Sequence, residues 1–370
     1  MQKISFSRKE KILFLDNFGS LINAGIPIVK ALQIIYFQSE NKRIQEMSAY
    51  FKQAIESGQN IIQVCESLPK VFSQFDRAMF EMGEATGKMG QVITLITERE
   101  EAQQDLERKI KQALIYPTSI LFVAIAMVVT IMTYVVPKIE KIYQDSHVNL
   151  PSLTQFIISV SHFLRSEWMY LAVGIVACIV GFIFALRNPR FRYEFDRYIL
   201  LFPIFGSILR KKTLIVFTEF LATLLDAGIL INRSLSIVRT GMDNRYYEAE
   251  IDAILLDIKS GKTLSSALGW EYIERKIRGE AIWKDETAFK RRVDCFPIEL
   301  SMSVKIGEQT GSLARMLEKM AVRYNKDVDA TIKGLSSMIE PIIIVGIGGI
   351  VGVIIMAIML PFFNMVNVIH

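Results

Sequence analysis

The 370-residue chain is 51% apolar and only 22% charged, with a mean hydropathy of +0.31. A soluble globule of this length normally carries more charge, so the apolar excess points to membrane spans. Three Cys and three His in no ligand-like spacing exclude a disulfide framework or a structural zinc site and argue against a secreted soluble enzyme. A net charge of +5 is too mild to indicate nucleic acid.

At the N-terminus, Lys3, Arg8, Lys9 and Lys11 precede only four apolar residues before Asp16, so no signal peptide is expected. Phe14, Phe18, Leu21 and Ile22 follow at i, i+4, i+7 and i+8, the apolar face of a helix. Gly25 can adopt the left-handed conformation that closes it, and Pro27 suits the first turn of the next helix. Gly58 reads as a second stop, with Asn60 as the following N-cap. Then comes the turn Gly83-Glu84-Ala85-Thr86-Gly87. With little strand alternation between these signals, a bundle of short helices is expected.

Three later stretches contain no Asp, Glu, Lys, Arg or His: 118–136, 168–186 and 342–360, each 19 residues long. At 1.5 Å per residue each makes about 28 Å of helix, against a hydrocarbon core of about 30 Å. The third holds twelve Ile, Val or Leu. Basic residues flank the first span on its N-terminal side (Arg99, Arg108, Lys109, Lys111) and the second on its C-terminal side (Arg187, Arg190, Arg192, Arg197, Arg210 to Lys212). The connection 137–167 is charge-balanced and the tail 361–370 has no Lys or Arg. The positive-inside rule therefore expects residues 1–117 and 187–341 in the cytoplasm, and the connection and tail in the periplasm.

The chain is also written twice. Ala24-Gly25-Ile26 recurs as Ala227-Gly228-Ile229, and Gly58 with Asn60 as Gly261 with Thr263, all 203 residues on. Gly83-Glu-Ala-Thr-Gly87 recurs as Gly307-Glu308-Gln-Thr-Gly311. Phe72, Pro117 and Pro137 match Phe296, Pro341 and Pro361, all 224 residues on. Each half is expected to be a cytoplasmic helical domain followed by a span, with the unpaired middle span as the return crossing. The expected fold is thus all-α: a polytopic membrane protein with two homologous cytoplasmic helical-bundle domains and three transmembrane helices.

The two offsets differ by 21 residues, which lie between Leu264 and Phe296. Within them, 271–294 carries thirteen charged residues, Trp283 and the cluster Lys290-Arg291-Arg292. A solvated insertion and an aromatic-anchored partner contact both fit that composition.

Catalytic and nucleotide signatures fail one by one. Gly261-Lys262-Thr263 ends like a phosphate-binding loop, but Leu256 stands where that motif requires Gly. The spans contain none of the ionisable residues that an ion pathway needs. Neither an enzyme, a cofactor nor a metal is implied. Gly348 and Gly352 form a small-xxx-small pair suited to close helix packing, within or between chains. Glu84 and Glu308 are each either a helix-terminus partner for backbone N–H groups near Thr86 or Thr310, or a surface contact to a partner or cation.

The doubled Ala-Gly-Ile helix pair, the doubled Gly-Glu-x-Thr-Gly, Tyr116-Pro117, Glu340-Pro341 and Pro203-Ile-Phe-Gly206 together resemble the type II secretion system protein F family. That family includes the inner-membrane platform proteins of type IV pilus assembly, and the resemblance runs from Ile12 to Val368. The chain departs from the family in lacking a longer N-terminal segment, in Leu230 where Pro is usual, and in the charged insertion. Its shortness resembles members serving type IVb pili. The resemblance implies a non-enzymatic, homo-oligomeric platform in the bacterial inner membrane. Its partners would be a cytoplasmic hexameric assembly ATPase, pilin or pseudopilin subunits, other inner-membrane assembly proteins and membrane lipid. The ATPase would move the cytoplasmic domains, and the platform would pass that motion to subunits entering the filament. Gly25 and Gly228 would set helix turns, Glu84 and Glu308 would make domain contacts, and the basic stretch 187–212 is placed to rest on anionic lipid. A permease-like subunit of an ATP-driven solute transporter is the competing expectation.

Overall fold

Residues 6–145, 151–202, 205–279 and 286–368 are described by a computed structural model, and all regular structure among them is helical. In chain order the helices are α1 (Arg8–Asn23), α2 (Ile28–Gln38), α3 (Lys42–Glu56), α4 (Ile61–Ser67), α5 (Gln74–Thr86) and α6 (Met89–Thr130). A π turn (Ile131–Val135) leads into α7 (Val136–Asp145), then α8 (Ser152–Ser166), α9 (Trp168–Ala185) and α10 (Pro189–Ile199). The second half contains α11 (Phe205–Asp226), α12 (Ile231–Thr240), α13 (Arg245–Lys259), α14 (Leu264–Ala267), α15 (Trp270–Ile277), α16 (Glu286–Cys295), α17 (Ile298–Thr310) and α18 (Leu313–Val368).

The chain divides into two compact units. Unit 1 is Met1–Arg108 with Tyr193–Asp329, and unit 2 is Lys109–Arg192 with Ala330–His370. Unit 1 therefore holds the helices of both sequence repeats, α1 to α5 and α11 to α17. The first repeat is built on a chain of buried rings. Phe14 stacks on Phe18 with centroids 5.7 Å apart and meets Phe51 in a tilted pair at 5.5 Å, and Phe51 reaches Phe72 at 5.6 Å. In the second repeat Phe217 meets Phe296 at 5.0 Å and Tyr247 meets Phe296 at 5.7 Å. Burying the Tyr247 ring leaves its hydroxyl to be satisfied, and it donates to the Cys295 carbonyl at 3.0 Å.

The glycine stops close their helices as expected. Gly25 has φ +78°, its N–H donates to the Ile22 carbonyl, and the Ile26 N–H donates to Leu21. Gly228 repeats the pattern at φ +82°, with Gly228 to Leu225 and Ile229 to Leu224. This double bond satisfies the last carbonyls of α1 and α11 but needs a residue without a Cβ penalty. Gly25→Val and Gly228→Val are each expected to cost about 1–2 kcal/mol, measurable as a lower unfolding temperature of the detergent-solubilised protein. Asn60 and Thr263 cap α4 and α14 through their side chains. Pro27, expected in the first turn of α2, stands one residue earlier as its N-cap at φ −56° and ψ 142°. Leu230 takes the twin position at φ −57° and ψ 140°, so the extended conformation there does not depend on the ring.

The prolines expected to bracket spans do not end helices. Pro117 lies inside α6, and Pro341 and Pro361 lie inside α18. Pro137 follows the π turn, whose wider register accommodates a ring that would crowd the carbonyl one turn back. The connection expected as a loop over 137–167 is helical in α7 and α8 where it is described. Among the described residues, one run, Met89–Ile142, is long and apolar enough to cross a membrane. The bent pair Ala172–Ala185 and Pro189–Ile199, at 106°, counts as a second if taken as one span, and Ile343–Ala357 is a shorter apolar helix. Unit 2 packs around Met132, Val136, Ile157, Ile354 and Ala357. The Thr154 hydroxyl donates to the Ala357 carbonyl at 2.5 Å, and Ser161 donates to that of Met132.

Candidate functional site

Within unit 1, side chains from α1, α5 and α6 converge with α11 of the other repeat on a cluster of buried charge. Lys11 shares the apolar face of α1 with Phe14, Leu15 and Phe18 and is buried with them. Its Nζ donates to Asp76 Oδ2 at 2.6 Å and to Glu100 Oε1 at 2.7 Å. Asp76, with no solvent exposure, also accepts the Ser73 backbone N–H at 2.7 Å, which closes a capping box on α5. Arg99 Nη1 approaches the other Asp76 oxygen at 3.2 Å. Arg8 continues the network outward to Glu100 at 3.2 Å and to Glu107 at 2.7 Å.

Arg99 joins the repeats. Its guanidinium carbon lies 4.1 Å from the Phe75 ring centroid and 3.7 Å from that of Phe220, and the two rings are 4.5 Å apart. A flat cation lying over two adjoining aromatic rings is a favourable arrangement. Burial pulls the Arg99 pKa down, opposed by the charges of Asp76 and Glu100. A cavity of about 390 Å³ opens beside the cluster, lined among others by Arg8, Arg99, Lys70, Lys212, Glu219 and Asn325. Beside a separate cavity, Arg233 Nη2 pairs with Glu81 at 2.6 Å, so α5 and α12 also tie one repeat to the other.

Glu219 is pushed up in pKa by burial, although Asn325 Nδ2 donates to it at 3.2 Å and the Arg99 charge lies nearby. A carboxyl raised in the fold favours the protonated form. Its contribution is therefore fully present below its ordinary value of 4.5 and is lost as pH rises through the raised value. Glu219→Gln keeps the amide contact without the charge. The variant is expected to match the parent in unfolding temperature at acid pH and to exceed it at neutral pH.

Within each Gly-Glu-x-Thr-Gly turn the glycines have separate duties. A Cβ on Gly83 would sit 3.2 Å from the Met89 Cα, and one on Gly307 would sit 2.8 Å from the Leu313 Cα, so the first glycine admits the next helix. Gly87 and Gly311, at φ +70° and +65°, make the left-handed exit. Thr86 and Thr310 donate back into their own helices, to Met82 and Ile306.

The two glutamates diverge. Glu308 Oε1 accepts the backbone N–H of Leu264 at 2.7 Å and of Ser265 at 3.3 Å, and Oε2 accepts the Ser265 hydroxyl at 2.5 Å. It is a helix-terminus partner, but for α14, 44 residues away in sequence, and not for the N–H groups near Thr310. Glu84 is exposed, and among the described residues it has no comparable bond. The first repeat does not need it there, because Asn60 and Gln63 cap α4 reciprocally at 2.9 and 3.1 Å.

Of the remaining expected residues, Gly348 and Gly352 have nothing within 4 Å of where a Cβ would stand. Pro341 is exposed on α18. The Glu340 side chain lies outside the described residues, as does Trp283. The insertion is partly anchored: Arg292 reaches Asp257 and the Ala267 carbonyl, and Arg291 lies 4.0 Å from Glu250.

The buried cluster had a signal that motif reading passed over. Lys11, Asp76 and Glu100 are charges at apolar-face positions, and opposite charges so placed are expected to pair. The repeat supplies a second signal. At offset 203 Lys11 corresponds to Leu214, and at offset 224 Asp76 and Glu100 correspond to Leu300 and Tyr324. All three counterparts are buried.

The family model described as "Type II secretion system (T2SS), protein F" matches this chain twice, over residues 14–137 and 217–361. The chain is 30% identical over 362 residues to the type IV pilus assembly protein PilC of Myxococcus xanthus, covering 98% of this chain and 82% of that protein. It is 27% identical to PilC of Pseudomonas aeruginosa, covering 96% and 90%. It is also 27% identical to the type II secretion system protein F of that organism, covering 97% and 83%.

Proposed function

Since the chain belongs to the type II secretion system protein F family, we propose that it is the inner-membrane platform of a filament-assembling machine, a type IV pilus or a secretion pseudopilus. The platform couples a cytoplasmic assembly ATPase to the insertion of pilin or pseudopilin subunits. The observation that carries this reading is similarity along essentially the whole chain to pilus assembly and secretion proteins, with the doubled family match falling on both internal repeats. In this reading 118–136, 168–186 and 342–360 cross the membrane, and the two repeats of unit 1 face the cytoplasm.

Support for force transmission comes from the helices. α6 and α18 each run without a break from residues of unit 1 into an apolar segment, for 42 and 56 residues. Two such rods are suited to pass a displacement of the helical repeats to subunits held in the bilayer. The open Gly348 and Gly352 are available for packing against another chain. No catalytic step is needed for this role.

Affinity purification of the full chain from membranes tests the partner assignment. The assembly ATPase and the pilin encoded in the same cell should co-purify with it. Their consistent absence, with the chain intact, would contradict the role.

A further inference from the structure

Helix α10 has no buried residue, yet one of its faces is fixed to unit 1. The rings of Tyr193 and Tyr246 lie 5.5 Å apart, the Arg245 backbone N–H donates to Asp196 Oδ2 at 2.8 Å, and Asn244 Nδ2 donates to the Asp196 carbonyl at 3.1 Å. At about 100° per residue, Phe191 and Tyr198 fall on the side away from these contacts, and Phe202 follows in the turn just past the helix. They are 42%, 61% and 64% exposed, and the adjacent Leu201 is 68% exposed. Arg190 and the pair Arg197–Glu194, 3.9 Å apart, border the aromatic face on one edge and Arg192 on the other.

The preceding helix says what covers this face. α9 contains no Asp, Glu, Lys, Arg or His, and its apolar residues, such as Val173, Val176 and Ile179, are exposed along its length. Only three residues separate it from α10, and its described part meets α10 at 106°. A helix that crosses a bilayer and then bends by about a right angle leaves the next one along the surface. Aromatic rings flanked by arginine are the composition of a helix lying in the headgroup region.

We infer that α10 is an interfacial helix that inserts Phe191, Tyr198 and Phe202 among the upper acyl chains and sets its arginines against anionic phospholipid headgroups. This rests on the bilayer reading of α9 given above.

The test uses the full chain in a Cys178→Ser background, since Cys65 and Cys295 are buried. Nitroxide labels are placed by Tyr198→Cys and Phe202→Cys, with Val176→Cys on α9 and the exposed Asp226→Cys as references. The protein is reconstituted in nanodiscs of phosphatidylethanolamine with phosphatidylglycerol. Labels at 198 and 202 should be several-fold less accessible to a water-soluble nickel chelate than the label at 226, and more accessible to oxygen. That protection should weaken without phosphatidylglycerol, or in the double variant Arg190→Gln with Arg197→Gln. Aqueous accessibility at 198 and 202, with 176 protected, overturns the inference alone. Aqueous accessibility at 176 overturns the bilayer reading beneath it.

Discussion

Lys11→Met is expected to destabilise the protein by about 3–5 kcal/mol, the cost of leaving buried carboxylates without their cation. Asp76 is fully buried and Glu100 is 5% exposed, so neither can recover the lost contact from water. Asp76 would keep Arg99 and the Ser73 N–H, but Glu100 would keep only Arg8 and a longer approach from Arg99. The second repeat shows the alternative solution to the same packing problem. Its Leu214, Leu300 and Tyr324 fill the corresponding positions without charge. Replacing a buried ion cluster wholesale by well-packed apolar groups is often neutral or stabilising. The quadruple variant Lys11→Leu, Asp76→Leu, Arg99→Leu, Glu100→Tyr removes every buried charge of the cluster together and should therefore recover most of the loss. Chemical denaturation of the detergent-solubilised protein compares the variants. A quadruple variant no more stable than Lys11→Met would show that the cluster is needed for more than filling space.

Glu308→Ala and Glu84→Ala, identical in motif, should differ. Glu308 accepts three bonds at the start of α14, two from backbone N–H groups that its removal would leave exposed or unsatisfied. Bonds to a charged acceptor are each worth about 1.5–3 kcal/mol, and the three share one carboxylate, so a total loss of about 2–3 kcal/mol is expected. Glu84 is exposed and should change stability by less than about 0.5 kcal/mol. The same denaturation measurement decides between them. A loss of filament assembly in Glu84→Ala without a loss of stability would assign that residue to a partner contact.

The punctuation of the fold was legible because it is local. Gly25, Gly58, Gly228 and Gly261 take positive φ, and Asn60 and Thr263 cap helices, since each turn is decided within a few residues. The doubling was legible because landmarks keep constant offsets. The passage of helix through Pro117 and Pro137 was not, because a long helix and its π turn accommodate them, which depends on neighbours across the bundle as well as the residue itself. The bond from Glu308 to α14 was hidden for a related reason: its partners are 44 and 43 residues away. Lys11, Asp76, Arg99 and Glu100 carry no motif, and only their apolar surroundings and their replacements in the second repeat mark them out.

The most direct measurement of the central claim is deletion of the coding sequence, followed by electron microscopy of surface filaments and a secretion assay. Reintroducing the full chain should restore what is lost. Loss of the filament or of the secreted substrate, with restoration on complementation, is the predicted result. Filaments and secretion at parental levels in the deletion strain would contradict the platform role.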